Sequence, residues 1–258
     1  MSQEFSLIAC DASNIDRLPC CGIRNPDHAG RQAKCSWLRD NLQLGARAKI
    51  LTDSGGKPCG YIEYMPGERC WRGDEAAGYM VIQCIWNQSK AHQRKGWASA
   101  MLADCLADAK RAGMHGVVAI AREGPWLADR RLYIANGFER VDFAPPDFEM
   151  FVCKFDAGAP NPSFRSHRAR YGKGLTIIQS AQCPYAVKFA GEIARAAREE
   201  YGIEPRIVEL RTWRDAQNAP TPYAVFALLY NGRVVADHQV SRTRFRNIMR
   251  AEGLSARS

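Results

Sequence analysis

Six consecutive residues, Gln93-Arg94-Lys95-Gly96-Trp97-Ala98, join two cations to small residues at Gly96 and Ala98, just ahead of a run with helical periodicity. Such a loop lets backbone N–H groups approach a pyrophosphate without a Cβ clash, and the following helix adds the positive end of its dipole. Arg94 and Lys95 add formal charge. Taken alone, a basic glycine loop before a helix is also a common surface turn. A second chemical group is Tyr133, a phenol that with a reference pKa of ~10 can act as a proton donor. Packing beside Phe138 is the other reading of Tyr133.

A third group is Cys183, in Gln182-Cys183-Pro184-Tyr185-Ala186. A cysteine opening a helix can have its pKa lowered below ~8.5, because N–H groups and the dipole favour thiolate. The place for a resolving cysteine holds Ala186, so dithiol exchange here would need a thiol from elsewhere, such as Cys20 or Cys21. The ten cysteines include no Cys-x-x-Cys pair and the five histidines show no ligand spacing. They read as reduced thiols, many of them buried, with no metal site expected. The one zinc set to weigh against that is Cys20, Cys21, His28 and Cys35.

The elements that must position these groups follow from periodicity and turn chemistry. Arg31 to Leu44 reads as a helix, Ala46 to Leu51 and Pro58 to Tyr64 as a hairpin turning at Asp53-Ser54-Gly55-Gly56, and Tyr79 to Trp86 as a further strand. Ala98, Met101, Leu102, Cys105, Leu106 and Ala109 mark one helix face, stopped by Gly113. A strand Gly116 to Ile120, a short helix Asp129 to Asn136 and strands Glu139 to Asp142 and Phe148 to Phe155 complete residues 1–155, an α+β domain. Residues 156–174, rich in Gly, Pro, Ser and Arg, read as a linker. Residues 175–258 follow as βαβα-ββα: strand Leu175 to Gln179, helix Pro184 to Glu200, strand Arg206 to Leu210, a helix opened by Thr212 with Asp215 in a capping-box position, a hairpin of Tyr223 to Tyr230 and Arg233 to Asp237 about Asn231-Gly232, and a helix from Ser241 through Met249.

With 46% apolar and 24% charged residues over 258 positions, the chain has the composition of an ordinary soluble protein of two domains, which argues against disorder, collagen and coiled coil. No apolar run approaches the ~20 residues of a membrane span, and Met1 to Cys10 lacks a signal-peptide pattern. A cytoplasmic location and no membrane partner are expected. The net charge of +9 is uneven, +2 up to Lys154 and +7 beyond it. That bias suits acidic partners, but Arg242-Thr243-Arg244-Phe245-Arg246 interleaves one aromatic with its arginines and no binding motif accompanies it, so nucleic acid is not expected.

The Gln93 to Ala98 loop fits Gln/Arg-x-x-Gly-x-Gly/Ala, and Tyr133-Ile134-Ala135-Asn136-Gly137-Phe138 fits Tyr-x-x-x-Gly-Phe on a short helix after a strand. Together, over Ala46 to Phe155, these motifs resemble the GNAT superfamily of N-acetyltransferases. The resemblance implies acetyl-CoA as co-substrate, held by Gln93, Arg94, Lys95, Gly96, Trp97 and Ala98, and direct attack on its thioester by an amine of a small molecule or peptide. Gln83 to Trp86, with Cys84, Ile85 and Trp86 at the cofactor, would offer backbone N–H groups to the thioester oxygen. Tyr133 occupies the position of the general acid. Glu63 is the candidate base, with Glu75 in reserve, although alternation in Tyr61 to Tyr64 leaves open whether Glu63 faces the cleft or solvent. Trp71, Tyr64 and Trp126 are candidate pocket aromatics.

The order βαβα-ββα resembles a thioredoxin-like domain, and Cys183-Pro184-Tyr185 resembles glutaredoxins. That likeness implies a reactive thiol at Cys183 and a cis-proline at Pro222. A GNAT domain followed by a thioredoxin-like one, with paired Cys20-Cys21 near the start, resembles the bacterial YoaP-like proteins. The rival reading is a thiol-binding or redox protein whose first domain senses acetyl-CoA. Acceptor and oligomeric state are not legible.

Overall fold

The computed structural model describes residues 5–88, 96–166 and 171–257, which divide into two compact units. The first comprises residues 5–26, 35–70 and 74–165 of the described chain, the second residues 27–34, 71–73 and 166 onward.

In the first unit, β1 (Phe5–Ala9), β2 (Arg47–Asp53), β3 (Pro58–Pro66), β5 (Met80–Asn87), β6 (Gly116–Ala121), β8 (Phe148–Lys154) and β7 (Glu139–Ala144) form one sheet in that order. The hairpin between β2 and β3 turns where Asp53 Oδ1 accepts from the N–H groups of Gly55 and Lys57, with Gly56 at φ +74°. Helix α2 (Trp97–Arg111) buries Trp97, Met101, Leu102, Cys105 and Ala109 against Ile62, Tyr64, Ile82, Val117 and Phe151. Gly113, at φ +69°, closes α2 by donating to the Lys110 carbonyl. α3 (Arg130–Ile134) starts where the Asp129 carboxylate accepts from Arg131 N–H. The helix that begins with Ala29 runs to Leu42 and is α1, two residues earlier at each end than its apolar spacing suggests.

Part of the expected linker is ordered. Ser163–Phe164 (β9) pairs with Asp74–Glu75 (β4), a two-residue strand too short to show periodicity. The chain there is tied down by Phe164 N–H on Asp142 Oδ2 and by the Tyr79 hydroxyl on the Pro160 carbonyl. The division between units falls after Arg165, inside residues 156–174.

The second unit has a four-stranded sheet in the order β11 (Arg206–Leu210), β10 (Leu175–Ser180), β12 (Phe226–Tyr230), β13 (Arg233–Ala236), with β10 and β11 parallel and the other pairs antiparallel. α4 (Pro184–Ala196) continues as a π-helical turn, Ala197–Tyr201, before Gly202 at φ +62° ends it. α5 (Trp213–Gln217) carries the Thr212/Asp215 capping box, and α6 (Arg242–Ala251) is capped by Ser241. Asn231 and Gly232 both take positive φ, the backbone a two-residue hairpin of this twist demands. β12 starts three residues later than its apolar run, because Thr221-Pro222-Tyr223-Ala224 is a turn closed by Ala224 N–H on the Thr221 carbonyl, with Ala224 at φ +53°. The peptide before Pro222 is trans, which corrects the expected cis-proline: Pro222 serves as the second residue of that turn, where its fixed φ is already suitable.

Candidate active site

β5 and β6 run parallel, and their pairing is confined to Met80 with Val117 and Val81 with Val118. Beyond that point the strands diverge, leaving the second half of β5 unpaired on the β6 side among the described residues. On its other edge β5 stays paired to β3, Cys84 opposite Glu63, Ile85 opposite Ile62 and Trp86 opposite Tyr61. The register shifts so that Gln83 is the extra residue between Ile82 and Cys84, a bulge that bends the strand where the divergence begins. A wedge with the half-buried free edge of Cys84 to Asn87 along one wall can receive a thioester or another carbonyl.

The two faces of β3 divide the labour. Ile62 and Tyr64 look toward α2, where the Tyr64 hydroxyl donates to Asp108 Oδ2 at 2.6 Å and Lys49 Nζ stands 3.6 Å from the same oxygen. Tyr64 is therefore a core residue and does not line a pocket. Tyr61 and Glu63 lie on the opposite face, with Cys84 and Trp86 beside them. Glu63 is fully buried, which removes the solvated reading. Alternation could not reveal this, because every residue from Cys59 to Met65 is buried on one face or the other. Glu75 stands exposed on the β4/β9 ribbon, 3.9 Å from Arg165, so the reserve base lies off the β3/β5 wall.

Tyr133 is buried, stacked on Phe151 at 6.0 Å and tilted on Phe138 at 5.5 Å. Asn136, a residue the sequence did not single out, ties the end of α3 to α2 by donating to Ser99 Oγ at 3.1 Å and to the Leu132 carbonyl. At the start of α2, Gly96 takes φ +77° and a Cβ built on it would meet nothing within 4 Å. The conformation explains this glycine, and among the described residues nothing crowds it. The Trp97 indole is in the core, 6.0 Å from Phe5, so Trp97 can serve a ligand through its backbone alone, while Ala98 is partly exposed. Gln93, Arg94 and Lys95 lie outside the described residues.

One cluster escaped the sequence. The Tyr61 hydroxyl lies 2.9 Å from Cys21 Sγ and 3.3 Å from Cys84 Sγ. Burial first, then the neighbouring Cys21, Cys84 and Glu63 charges, push the Tyr61 phenol well above its usual range, so it remains protonated. Cys21 is delivered by a turn in which Cys20, Cys21 and Gly22 take φ of +43°, +53° and +89°. Left-handed backbone costs about 1–2 kcal/mol for each residue with a Cβ, so packing must hold this turn. The spacing of Tyr61 and Glu63, and of Cys84 and Trp86, two apart on paired strands, is the signal that could have found the cluster. The sulfur of Cys20 meets that of Cys35 at 4.0 Å, while Cys21 turns to Tyr61. Among the described residues no group of three His, Cys, Asp or Glu side chains is arranged to hold a metal ion.

In the second unit Cys183 is the N-cap of α4, partly exposed, and Gln239 Nε2 donates to its sulfur at 3.3 Å and to the Tyr223 hydroxyl at 3.3 Å. Arg72, buried, donates to Gln182 Oε1 at 3.3 Å with its guanidinium 5.5 Å from the Tyr223 ring centre. Trp71, expected in an acceptor pocket, belongs to this unit. Phe245 is buried, and Arg242 and Arg246 are both clasped to Glu200, so the basic run at the start of α6 is largely engaged within the unit.

These features define a mixed α/β protein whose two parallel central strands part after a short pairing. A YoaP-like family profile matches residues 206–247. The chain is 29% identical over 244 residues to the uncharacterized N-acetyltransferase YoaP of Bacillus subtilis (strain 168), covering 89% of this chain and 92% of that one. This likeness supports an N-acetyltransferase. Among solved structures it is similar to the GNAT family N-acetyltransferase YhbS of Escherichia coli in complex with CoA (17% identity, 64% of this chain and 92% of that one, TM-score 0.42). It is also similar to a GNAT family acetyltransferase of Brucella melitensis in complex with acetyl-CoA (16% identity, 63% and 96%, TM-score 0.40).

Proposed function

We propose that the chain is an acetyl-CoA-dependent N-acyltransferase that moves an acetyl group to an amine of a small-molecule or peptide acceptor by direct attack. The observation that carries this reading is the parting of β5 from β6 after Val81, with Gln83 bulged at the fork and a buried carboxylate, Glu63, opposite Cys84. The acceptor nitrogen attacks the thioester carbonyl while backbone N–H groups of Cys84 to Trp86 receive the oxyanion. Glu63 takes the amine proton, the carbon–sulfur bond breaks, and Tyr133 protonates the departing thiolate. Acetyl-CoA is the acetyl donor in this reading, its pyrophosphate at the loop before α2. The relative's name and the two sequence motifs support it.

The second unit is read as a thioredoxin-like domain of the YoaP-like kind. Its sheet order, its helix α4 after β10 and the cysteine at the head of α4 support that reading, while the trans peptide before Pro222 departs from it. Cys183 is the candidate reactive thiol there. Residues 1–155 and 175–258 remain the functional domains of the proposal. Among the described residues no helix is long and apolar enough to cross a membrane, and a cytoplasmic enzyme is the reading adopted.

The test is calorimetry with acetyl-CoA followed by release of coenzyme A thiol across a panel of amines. Binding without acetyl transfer to any amine, together with thiol-dependent activity, would favour the rival redox protein that senses acetyl-CoA.

A further inference from the structure

We propose that Cys21 and Cys84 are a two-thiol modification site on the β3/β5 face, whose reactant is a low-molecular-weight disulfide. Both sulfurs rest on the one Tyr61 hydroxyl, at 2.9 and 3.3 Å, so they are no more than about 6 Å apart. Both are partly exposed, whereas the neighbouring pair Cys20 and Cys35, though in contact at 4.0 Å, is buried out of reach of a solution oxidant. Other thiols are poorly suited. Burial pushes Cys59 up to about 11, Cys105 well above its ordinary value and Cys153 upward, which keeps them as unreactive thiols.

The phenol between the two sulfurs serves the exchange. A protonated Tyr61 hydroxyl can donate to whichever sulfur is thiolate while accepting from the other, so one proton can leave without an uncompensated charge in a half-buried place. The left-handed turn at Cys20–Gly22 supplies the movement. Cys21 is held at φ +53°, and relaxing that residue shifts its sulfur while β5, laddered to β3, stays fixed.

The Cys21 thiolate attacks one sulfur of the small disulfide; that S–S bond breaks, and the released thiolate takes up the proton Cys21 lost. The Cys84 sulfur then attacks the Cys21 sulfur of the mixed disulfide, expelling the second small thiolate, which gains the Cys84 proton through Tyr61. Two protein thiols are oxidised to one disulfide and the small disulfide is reduced to two thiols. Closure needs sulfurs at ~2.05 Å, so Tyr61 must leave its place between them, deforming the face that carries Glu63 and Trp86. The thiol chemistry stands independently of acetyl transfer; only the consequence, loss of acceptor turnover with acetyl-CoA binding kept, rests on that reading.

The experiment treats the full chain, and its Cys183→Ser variant, with oxidised glutathione, then maps peptides without reduction by mass spectrometry. A Cys21–Cys84 cross-link reversed by dithiothreitol is expected in both proteins, and in the Cys183→Ser variant it accounts for the loss of two of the remaining thiols. Cys21→Ser and Cys84→Ser should each abolish the cross-link and leave a mixed disulfide on the remaining partner. A Cys20–Cys35 cross-link, or adducts without any cross-link, would overturn the proposal. Calorimetry on the oxidised protein separates the two readings: a cross-linked chain that never bound acetyl-CoA when reduced would refute the acyltransferase and leave the thiol site standing.

Discussion

Glu63 stands directly opposite Cys84 across the β3/β5 ladder, with Gln83 bulged out beside the pair and no solvent reaching the carboxylate. A bulge at this point does two things at once: it turns β5 away from β6, opening the wedge, and it aims Cys84 and Trp86 toward the face that holds Glu63. The candidate base and the edge of β5 left unpaired among the described residues thus depend on one irregularity, and variants around the site divide into those that affect binding and those that affect chemistry.

Binding should be most sensitive at Gly96. Its φ of +77° means that Gly96→Ala strains the backbone by about 1–2 kcal/mol, with no described residue within 4 Å of the added methyl. Gly96→Glu adds an anion at the head of α2, where a pyrophosphate would approach. The expected outcome is folded protein in both cases, with acetyl-CoA affinity abolished by glutamate and weakened by alanine. Calorimetry beside circular dichroism checks it; undiminished affinity of Gly96→Glu would remove the phosphate-loop reading.

Chemistry should be most sensitive at Tyr133. Because the ring is already packed on Phe138 and Phe151, Tyr133→Phe keeps the packing and deletes only the hydroxyl. A lost general acid should lower kcat by ~10² with little change in acetyl-CoA affinity, and Glu63→Gln, which removes the candidate base, should lower kcat likewise. Full turnover in the phenylalanine variant would assign Tyr133 to the core alone.

Much of this was legible in the sequence, and the failures have physical causes. Helix α2, the hairpins at Gly56 and Asn231-Gly232 and the capping box at Thr212 announce themselves because local chemistry decides them. The side of β3 that carries Glu63 was hidden because a central strand is buried on both faces, and the meeting of Cys21 with Cys84 was hidden because it depends on a strained turn brought against strand partners 40 residues away in the chain from Cys21 to Tyr61. Pro222 misled because the dipeptide suits a trans turn as well as a cis one.

The second unit should be acid-sensitive through Glu200. Hydrogen bonds from Arg246 and then Arg242 hold its carboxyl down at about 2. A folded-state value below that of the unfolded chain contributes stability that is complete above the unfolded carboxylate value of ~4.3 and is lost as pH falls toward 2. Thermal melts should therefore fall across that window in excess of the Glu200→Gln variant, whose curve should be flatter. Because these arginines are about half exposed, raised salt should shrink the difference. Identical pH dependence in the two proteins would show the arginine clasp to be energetically idle.

Cys183 should be the most readily alkylated of the ten thiols under mildly acidic conditions. It caps α4 from a partly exposed position, with Pro184 at the first helical turn and Gln239 Nε2 donating to its sulfur, an arrangement that favours thiolate. Cys59, Cys105 and Cys153 are pushed the other way by burial, and Cys20 and Cys35 are inaccessible. Limiting iodoacetamide at pH ~6.5, well below the free thiol value, selects for thiolate fraction rather than for exposure alone. Cys21 and Cys84 are the informative controls, since both are partly exposed and share the Tyr61 hydroxyl without a helix terminus. Gln239→Leu should slow labelling of Cys183 several-fold by withdrawing a donor from the thiolate, while leaving Cys21 unaffected. If peptide mapping finds Cys183 labelled no faster than Cys21, or indifferent to Gln239, the head of α4 holds an ordinary thiol and the second unit is better understood as a recognition module.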